Sequence, residues 1–96
     1  MEHELKITQP FFNGVFTGKK KFEVRRNDRD FKVDDVLILK EYIPETRSYT
    51  GEVIRVVVTY ILDDENYCKD GFVILGIENV WDMFARHIKE KCVNKI

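Results

Sequence analysis

A run of β-forming residues, VIRVVVTYIL at residues 53–62, constrains the fold of this chain more than any other segment. β-Branched and aromatic side chains pack well on a pleated sheet and lose rotamer freedom in a helix. The run therefore predicts a strand. Its length and its apolar character predict that this strand lies at the centre of a sheet.

Four other segments have the pattern of strands. Residues 21–26 alternate apolar and charged side chains, which is the period of a strand with one buried face. The others are short apolar stretches bounded by polar turns, at residues 5–7, 36–43 and 72–77. The four consecutive apolar residues at 36–39 predict burial on both faces of their strand.

Two segments have helical spacing instead. After Pro10, four apolar residues recur at helical intervals, and Gly18 follows where a left-handed C-cap would end the helix. These residues are Phe11, Phe12, Val15 and Phe16. We interpret the three phenylalanines as core residues rather than as a surface for base stacking. An amphipathic pattern over residues 81–95 predicts a second, C-terminal helix.

The order of these elements predicts an α+β fold built on a small, mixed, mainly antiparallel β-barrel. One helix follows the first strand and the other follows the last strand, and together they cover the openings of the barrel. The sequence contains no internal repeat and no linker. We therefore expect residues 1–96 to form a single domain, with residues 81–95 as a helical extension.

Composition and cysteine spacing exclude several classes of protein. The chain is 44% apolar and 34% charged, which is typical of a globular domain. It has no apolar run of the roughly eighteen residues that would span a membrane, and its polar start lacks the pattern of a signal peptide. We expect a cytoplasmic protein without membrane contact. Cys68 and Cys92 lack metal-binding spacing, so we expect neither a metal nor a cofactor.

Positive charge is concentrated between Lys19 and Arg29. This window holds six basic and two acidic residues, a local charge of +4, whereas the whole chain has a net charge of −1. The basic residues are Lys19, Lys20, Lys21, Arg25, Arg26 and Arg29. Such a concentration in a near-neutral chain predicts an anionic partner, with nucleic acid as the leading candidate.

The alternation within residues 21–26 predicts how the side chains divide between the two faces. Phe22 and Val24 would face the core, and Lys21, Glu23 and Arg25 would form a charged outer face. Lysine and arginine contact phosphates, which a glutamate repels. Glu23 therefore suits either of two roles: accepting a hydrogen bond from a base amino group, or acting with Lys20 as a general base.

The same alternation is also typical of an ordinary solvated sheet face. Exposed ion pairs on such a face contribute only about 0–1 kcal/mol to the free energy of unfolding. The charged residues alone are therefore consistent with an anion site or with a solvated surface.

Four of these residues have the spacing of a known motif. Gly18, Lys20, Glu23 and Arg25 stand as GxKxxExR, which resembles the signature of ASCH domains, a branch of the PUA-like β-barrels. Other segments agree in the same order: HELK at 3–6, NDRDF at 27–31, VLIL before EY at 36–42, YTG at 49–51 and DGFVILG at 70–76. Together they span about residues 3–77 and are similar to small bacterial and phage ASCH-like proteins of unassigned function.

The resemblance implies a PUA-like barrel with a cleft between the first helix and the sheet, lined by Lys20, Glu23 and Arg25. It also implies RNA binding, which is proposed for ASCH domains, and some members hydrolyse acetylated cytidine nucleosides. We therefore expect a basic cleft that binds RNA, a nucleotide or a nucleoside. Its expected contacts are Lys20, Lys21, Glu23, Arg25, Arg26, Arg29 and Tyr49. Tyr49 is a candidate for stacking on a base, and as a lone aromatic it is equally typical of packing.

Two alternatives stay open. An amidohydrolase acting on an acetylated or otherwise modified cytidine would use Lys20 and Glu23 as catalytic residues. Hydrolytic members of the family carry a threonine three residues after the signature lysine, and this chain has Glu23 there. A protein–protein interaction module would instead present its basic strand to an acidic partner.

Overall fold

The protein, seen in a computed structural model, is described here for residues 1–81. Its elements in chain order are β1 (Glu2–Ile7), α1 (Phe11–Phe16), β2 (Phe22–Arg26), β3 (Val36–Ile43), β4 (Ser48–Leu62) and β5 (Phe72–Asn79). The helix predicted over residues 81–95 lies, apart from Trp81, outside the described residues. No helix within residues 1–81 is long and apolar enough to cross a bilayer.

The five strands form one curled sheet in the order β1-β3-β4-β5-β2. The β1–β3 pairing is parallel and the other three pairings are antiparallel, so the predicted mixed, mainly antiparallel sheet is confirmed. β4 lies at the centre, as its composition predicts. Irregular registers between Lys40 and Tyr42, and between Val58 and Tyr60, add bend and twist. The sheet is a half-barrel, with β1 and β2 as its edges.

The core lies on the concave face of this sheet. Leu37, Leu39, Val58 and Leu75 are fully buried there, on β3, β4 and β5. Ile38 is also buried, on the opposite face of β3, so the predicted two-sided burial of this strand is confirmed. β3 pairs with β1 along one edge and with β4 along the other.

Helix α1 covers only part of the core. Phe12 and Val15 are buried, but Phe11 is 52% exposed and Phe16 is 67% exposed, so the assignment of all three phenylalanines to the core was wrong. At about 100° of rotation per residue, Phe12 and Val15 lie in the middle of the apolar stripe and Phe11 and Phe16 lie at its two sides. A helix of six residues buries the middle of the stripe and leaves both sides accessible.

A buried polar pair joins β1 to the start of β3. The His3 Nε2 donates to Asp35 Oδ2 at 2.8 Å, and both residues are buried. The backbone amide of Lys32 donates to the same carboxylate at 3.0 Å, and the amino group of Met1 donates at 3.3 Å. The His3 hydrogen bond is the main cause that lowers the pKa of Asp35 from 3.8 to about 2; burial opposes it, and the Lys32 and Met1 contacts reinforce it.

This pKa predicts how stability depends on pH. The folded state favours the ionised Asp35, so its contribution is complete above about pH 4 and is lost as the pH falls towards about 2. We expect Asp35→Asn to lower the free energy of unfolding at neutral pH. The gap, which is the difference in free energy of unfolding between the wild type and this variant, should narrow as the pH falls from about 4 to about 2. Urea unfolding followed by circular dichroism at several pH values measures this gap. Asp63→Asn, at an exposed residue, is the control, and a gap that does not change with pH would contradict the assignment.

Candidate functional site

The two edge strands of the half-barrel face each other across a gap that we call the seam cleft. Within residues 1–81, β1 and β2 share no backbone ladder. Arginine side chains cross the gap instead: Arg25 Nη2 donates to the Lys6 carbonyl at 2.7 Å, and Arg29 Nη1 donates to the Glu4 carbonyl at 3.0 Å. These bonds satisfy carbonyls on the free edge of β1 and bring two cations into the cleft.

Strand β2 is turned the opposite way from the prediction. Glu23 is buried with 3% of its surface exposed, whereas Phe22 and Val24 are 48% and 50% exposed. The register explains the inversion, because Glu23 pairs with Leu75 and Arg25 pairs with Val73, two buried residues of β5. Paired residues share a face of the sheet. The assignment of Phe22 and Val24 to the core and of Glu23 to the outer face was therefore wrong.

The buried Glu23 carboxylate is compensated on both of its oxygens. Lys20 Nζ donates to Oε1, Arg25 Nε donates to Oε2 at 2.8 Å, and Arg25 Nη2 forms an ion pair with Oε2 at 2.7 Å. Lys20 Nζ also donates to the Phe22 carbonyl at 2.6 Å. We call this group the Lys20–Glu23–Arg25 triad. Its net charge is +1, and the two cationic side chains keep 18% and 20% of their surface exposed.

Two glycines allow the chain to deliver Lys20 to the triad. Gly18 ends α1 with a φ of 77°, and its amide donates to the Val15 carbonyl at 3.0 Å, so the predicted glycine C-cap is confirmed. The Lys20 amide then donates to the Gly14 carbonyl at 2.8 Å. A β-carbon at Gly14 would lie 3.0 Å from the Lys20 β-carbon, so glycine permits this close approach.

One part of the seam cleft, the inner recess, combines charge with aromatic walls. It has a volume of about 420 Å³. It is lined by the triad together with Lys6, Ile7, Thr8, Phe11, Phe22 and Val24. Phe11 and Phe22 are both about half exposed, and Lys20 Nζ lies 5.8 Å and 5.0 Å from their ring centroids. The ammonium is therefore held close to both rings, within the range of cation–π attraction.

The other part, the outer recess, is more strongly cationic. It has a volume of about 470 Å³, and its lining contains five basic and two acidic residues. The basic residues are Lys6, Arg25, Arg26, Arg29 and Lys40, the acidic ones are Glu4 and Asp28, and Leu5, Phe31 and Tyr49 complete the wall. Lys6 and Arg25 line both recesses, so they mark the boundary between them.

The structure brings together most of the residues predicted for the site. Lys20, Glu23 and Arg25 meet in the inner recess, and Arg25, Arg26, Arg29 and Tyr49 line the outer one. Lys21 does not join them: it precedes β2, is exposed, and lines a separate recess. Its predicted place beside Glu23 and Arg25 on one strand face was wrong, because β2 begins only at Phe22.

Several lining residues were missed by the sequence reasoning. They are Lys6, Thr8, Phe11, Phe22 and Lys40. Lys6 and Thr8 come from the first strand and the segment after it, which reach the site only because β1 is the edge strand opposite β2. The sequence did contain one indication that Glu23 faces inward. A glutamate with basic residues three positions before it and two positions after it can be buried, because these cations compensate its charge. Within residues 1–81, no cluster of His, Cys, Asp or Glu is arranged to hold a metal ion.

The burial of Glu23 predicts a large effect on stability. Glu23→Ala leaves two neighbouring cations, Lys20 and Arg25, without the carboxylate that neutralises them. Removing one member of a buried ion pair lowers the free energy of unfolding by about 3 kcal/mol. Glu2→Ala is the matched control, because Glu2 forms an exposed pair with Arg55 at 3.6 Å, and such pairs contribute at most about 1 kcal/mol. Chemical denaturation measures both changes. Equal costs for the two variants would contradict the compensated burial of Glu23.

Comparison with known proteins places the chain in a family. A protein of Escherichia phage P2, described as an uncharacterized 12.9 kDa protein in the GpA 3′ region, is 33% identical over 73 residues. The aligned part is 76% of this chain and 64% of the phage protein, so the match spans less than two thirds of that relative. Residues 2–77 match the family described as "Domain of unknown function (DUF3850)", a range that includes every residue of both recesses. The chain therefore belongs to the DUF3850 family.

Proposed function

We propose that this protein binds RNA or a nucleotide in the seam cleft, and that its half-barrel is PUA-like and related to ASCH domains. The GxKxxExR spacing supports the relationship, together with the position of its Lys, Glu and Arg beside α1 at a cleft in the sheet. The functional proposal depends on one observation, which is that the two recesses lie side by side. A strongly cationic recess adjoins one with aromatic walls, which suits a ligand that has phosphate and base side by side.

The arginines of the outer recess would bind the phosphate. Arg25 uses Nε and Nη2 within the protein, and Nη1 makes no hydrogen bond within residues 1–81. Arg26 is exposed, and its guanidinium carbon lies 5.1 Å from the Phe72 ring centroid, which keeps the side chain beside the recess. A planar guanidinium group can donate two parallel hydrogen bonds to a phosphate, so Arg26 suits it better than a lysine would, and Arg25 adds the donors of Nη1.

The inner recess would hold a base. Phe11 and Phe22 offer half-exposed rings, and stacking on an aromatic side chain contributes about 1–3 kcal/mol per base. Glu23 Oε2 accepts a hydrogen bond from Arg25 Nε and is in ion-pair contact with Arg25 Nη2, whereas Oε1 accepts one hydrogen bond from Lys20. A carboxylate oxygen can accept two, so Oε1 can receive an amino hydrogen from a base such as cytosine. The net charge of +1 on the triad offsets the repulsion between Glu23 and phosphate.

Binding should depend on salt and on the arginines of the outer recess. We expect the affinity for a fluorescein-labelled single-stranded RNA, measured by anisotropy, to fall as salt rises, because bound cations release counterions from the RNA. Arg26→Ala should weaken binding several-fold. It should also reduce the salt slope, which is the slope of log affinity against log salt concentration, by about one, the value for one phosphate contact. Arg26 is the suitable target because it takes no part in the triad or the seam bonds.

Arg55→Ala is the control for this experiment. It removes the same charge from an exposed β4 residue outside both recesses, so it should leave the salt slope unchanged. Equal effects of the two substitutions, or binding that does not respond to salt, would reject the cleft as the RNA site.

A second candidate function is hydrolysis of an acetylated cytidine nucleoside, and the position of Thr8 favours it. Thr8 lines the inner recess with Lys20 and Glu23, and so supplies a hydroxyl that the segment after Lys20 lacks. Its Oγ1 would attack the acetyl carbonyl carbon and pass its proton to Glu23. The amide C–N bond would then break, the nucleoside amine would take up the proton, and water would release acetate from Thr8.

The enzymatic proposal has its own test. Purified protein should release acetate from N4-acetylcytidine, and Thr8→Ala should abolish the release. Thr17→Ala is the control, because Thr17 is exposed and its hydroxyl donates to the Asn13 carbonyl, outside the recess. If no acetate forms, or if Thr8→Ala retains full activity, the hydrolase is rejected while RNA binding is unaffected.

A further inference from the structure

We infer that the seam cleft takes two consecutive nucleotides of a single strand, with the phosphate that links them at the boundary between the recesses. This inference rests on the proposed function and makes it more specific. It states that the ligand is an oligonucleotide, and that a mononucleotide fills only half of the site.

Aromatic side chains line both recesses of this cationic cleft. Phe11 and Phe22 line the inner recess, and Tyr49 lines the outer one. Arg25 and Lys6 line both recesses and therefore lie between these aromatic groups. The order along the cleft is aromatic, cationic, aromatic, which matches the order base, phosphate, base along a nucleic acid strand.

The size of the recesses agrees with two bases. They measure about 420 Å³ and about 470 Å³, and each value by itself falls within the range of about 300–1,000 Å³ that is usual for a small-molecule site. A single nucleotide with its base in the inner recess and its phosphate at Arg25 would leave Tyr49 without a ligand group. A second nucleotide extends the chain from that phosphate into the outer recess.

Tyr49 is suited to hold the second base because its ring is fixed by its neighbours. It pairs with Tyr42 across β3 and β4, and the two ring centroids are 5.1 Å apart in an edge-on arrangement. Lys40 Nζ lies 5.3 Å from the Tyr49 centroid, and Lys6 Nζ lies 4.2 Å from the Tyr42 centroid. Half of the Tyr49 surface remains exposed. A ring that is already ordered loses little side-chain entropy when a base stacks on it.

The two positions differ in what they can recognise. Glu23 Oε1 gives the inner position a hydrogen-bond acceptor for a base amino group, whereas Tyr49 offers the outer position stacking, which accepts any base. The inner base should therefore be selected and the outer base should not. Both bases must leave a duplex stack to reach these positions, so the ligand is single-stranded.

The test compares cytidine 5′-monophosphate with the dinucleotide CpC by calorimetric titration. CpC adds a second base without adding a phosphate, so a gain in affinity cannot arise from extra charge. We expect CpC to bind about tenfold more tightly or better, in line with the stacking of one further base. Tyr49→Ala should remove the preference for CpC, so that this variant binds CpC and the mononucleotide with equal affinity. Tyr49→Phe, which keeps the ring, should retain the preference for CpC.

Tyr60→Ala is the matched control, since Tyr60 is an exposed tyrosine on the same strand that lines neither recess. Phe22→Ala should weaken both ligands. Equal affinities of the wild type for the two ligands, or a Tyr49→Ala variant that still prefers CpC, would overturn the two-nucleotide inference but leave the proposed function standing. If neither ligand nor a longer single-stranded RNA binds, the proposed function fails as well.

Discussion

The compensation of the Glu23 charge is the interaction on which the rest of the site depends. A carboxylate that is almost fully buried persists only because Lys20 neutralises one oxygen and Arg25 the other. These contacts join the segment after α1 to β2, and Arg25 carries the connection across the gap to the Lys6 carbonyl of β1. One ionic group therefore connects three parts of the chain that share no backbone ladder.

The same group explains why the half-barrel has a cleft. If β1 and β2 were paired through backbone hydrogen bonds, the gap between the two strands would close. Guanidinium groups are long and donate in several directions, so Arg25 and Arg29 satisfy the edge carbonyls of β1 from a distance. The space that remains on either side of Arg25 forms the two recesses. The arginines that bridge the two edge strands are thus also cations that line the cleft.

Much of the fold could be predicted from the sequence, because hydrophobic period and turn residues are local signals. The central position of β4, the two-sided burial of β3 and the glycine cap of α1 agree with those signals. The two errors have different causes. Alternation in β2 indicates which side chains share a face, but the two choices of inward face are equivalent by period alone. In α1, the helix is too short to bury both sides of its apolar stripe, which the spacing of the phenylalanines does not reveal.

The sequence by itself determined the sheet-rich class of this protein and the set of charged residues, Lys20, Glu23 and Arg25, that meet at its cleft. Strand propensity and the spacing of the motif depend on residues close together in the chain. Only the tertiary structure decided that Glu23 faces inward, that Phe11 and Phe22 remain accessible beside it, and that Lys6 and Lys40 line the cleft. These outcomes depend on pairing with β5 and on β1 lying opposite β2, which are contacts between residues far apart in the chain.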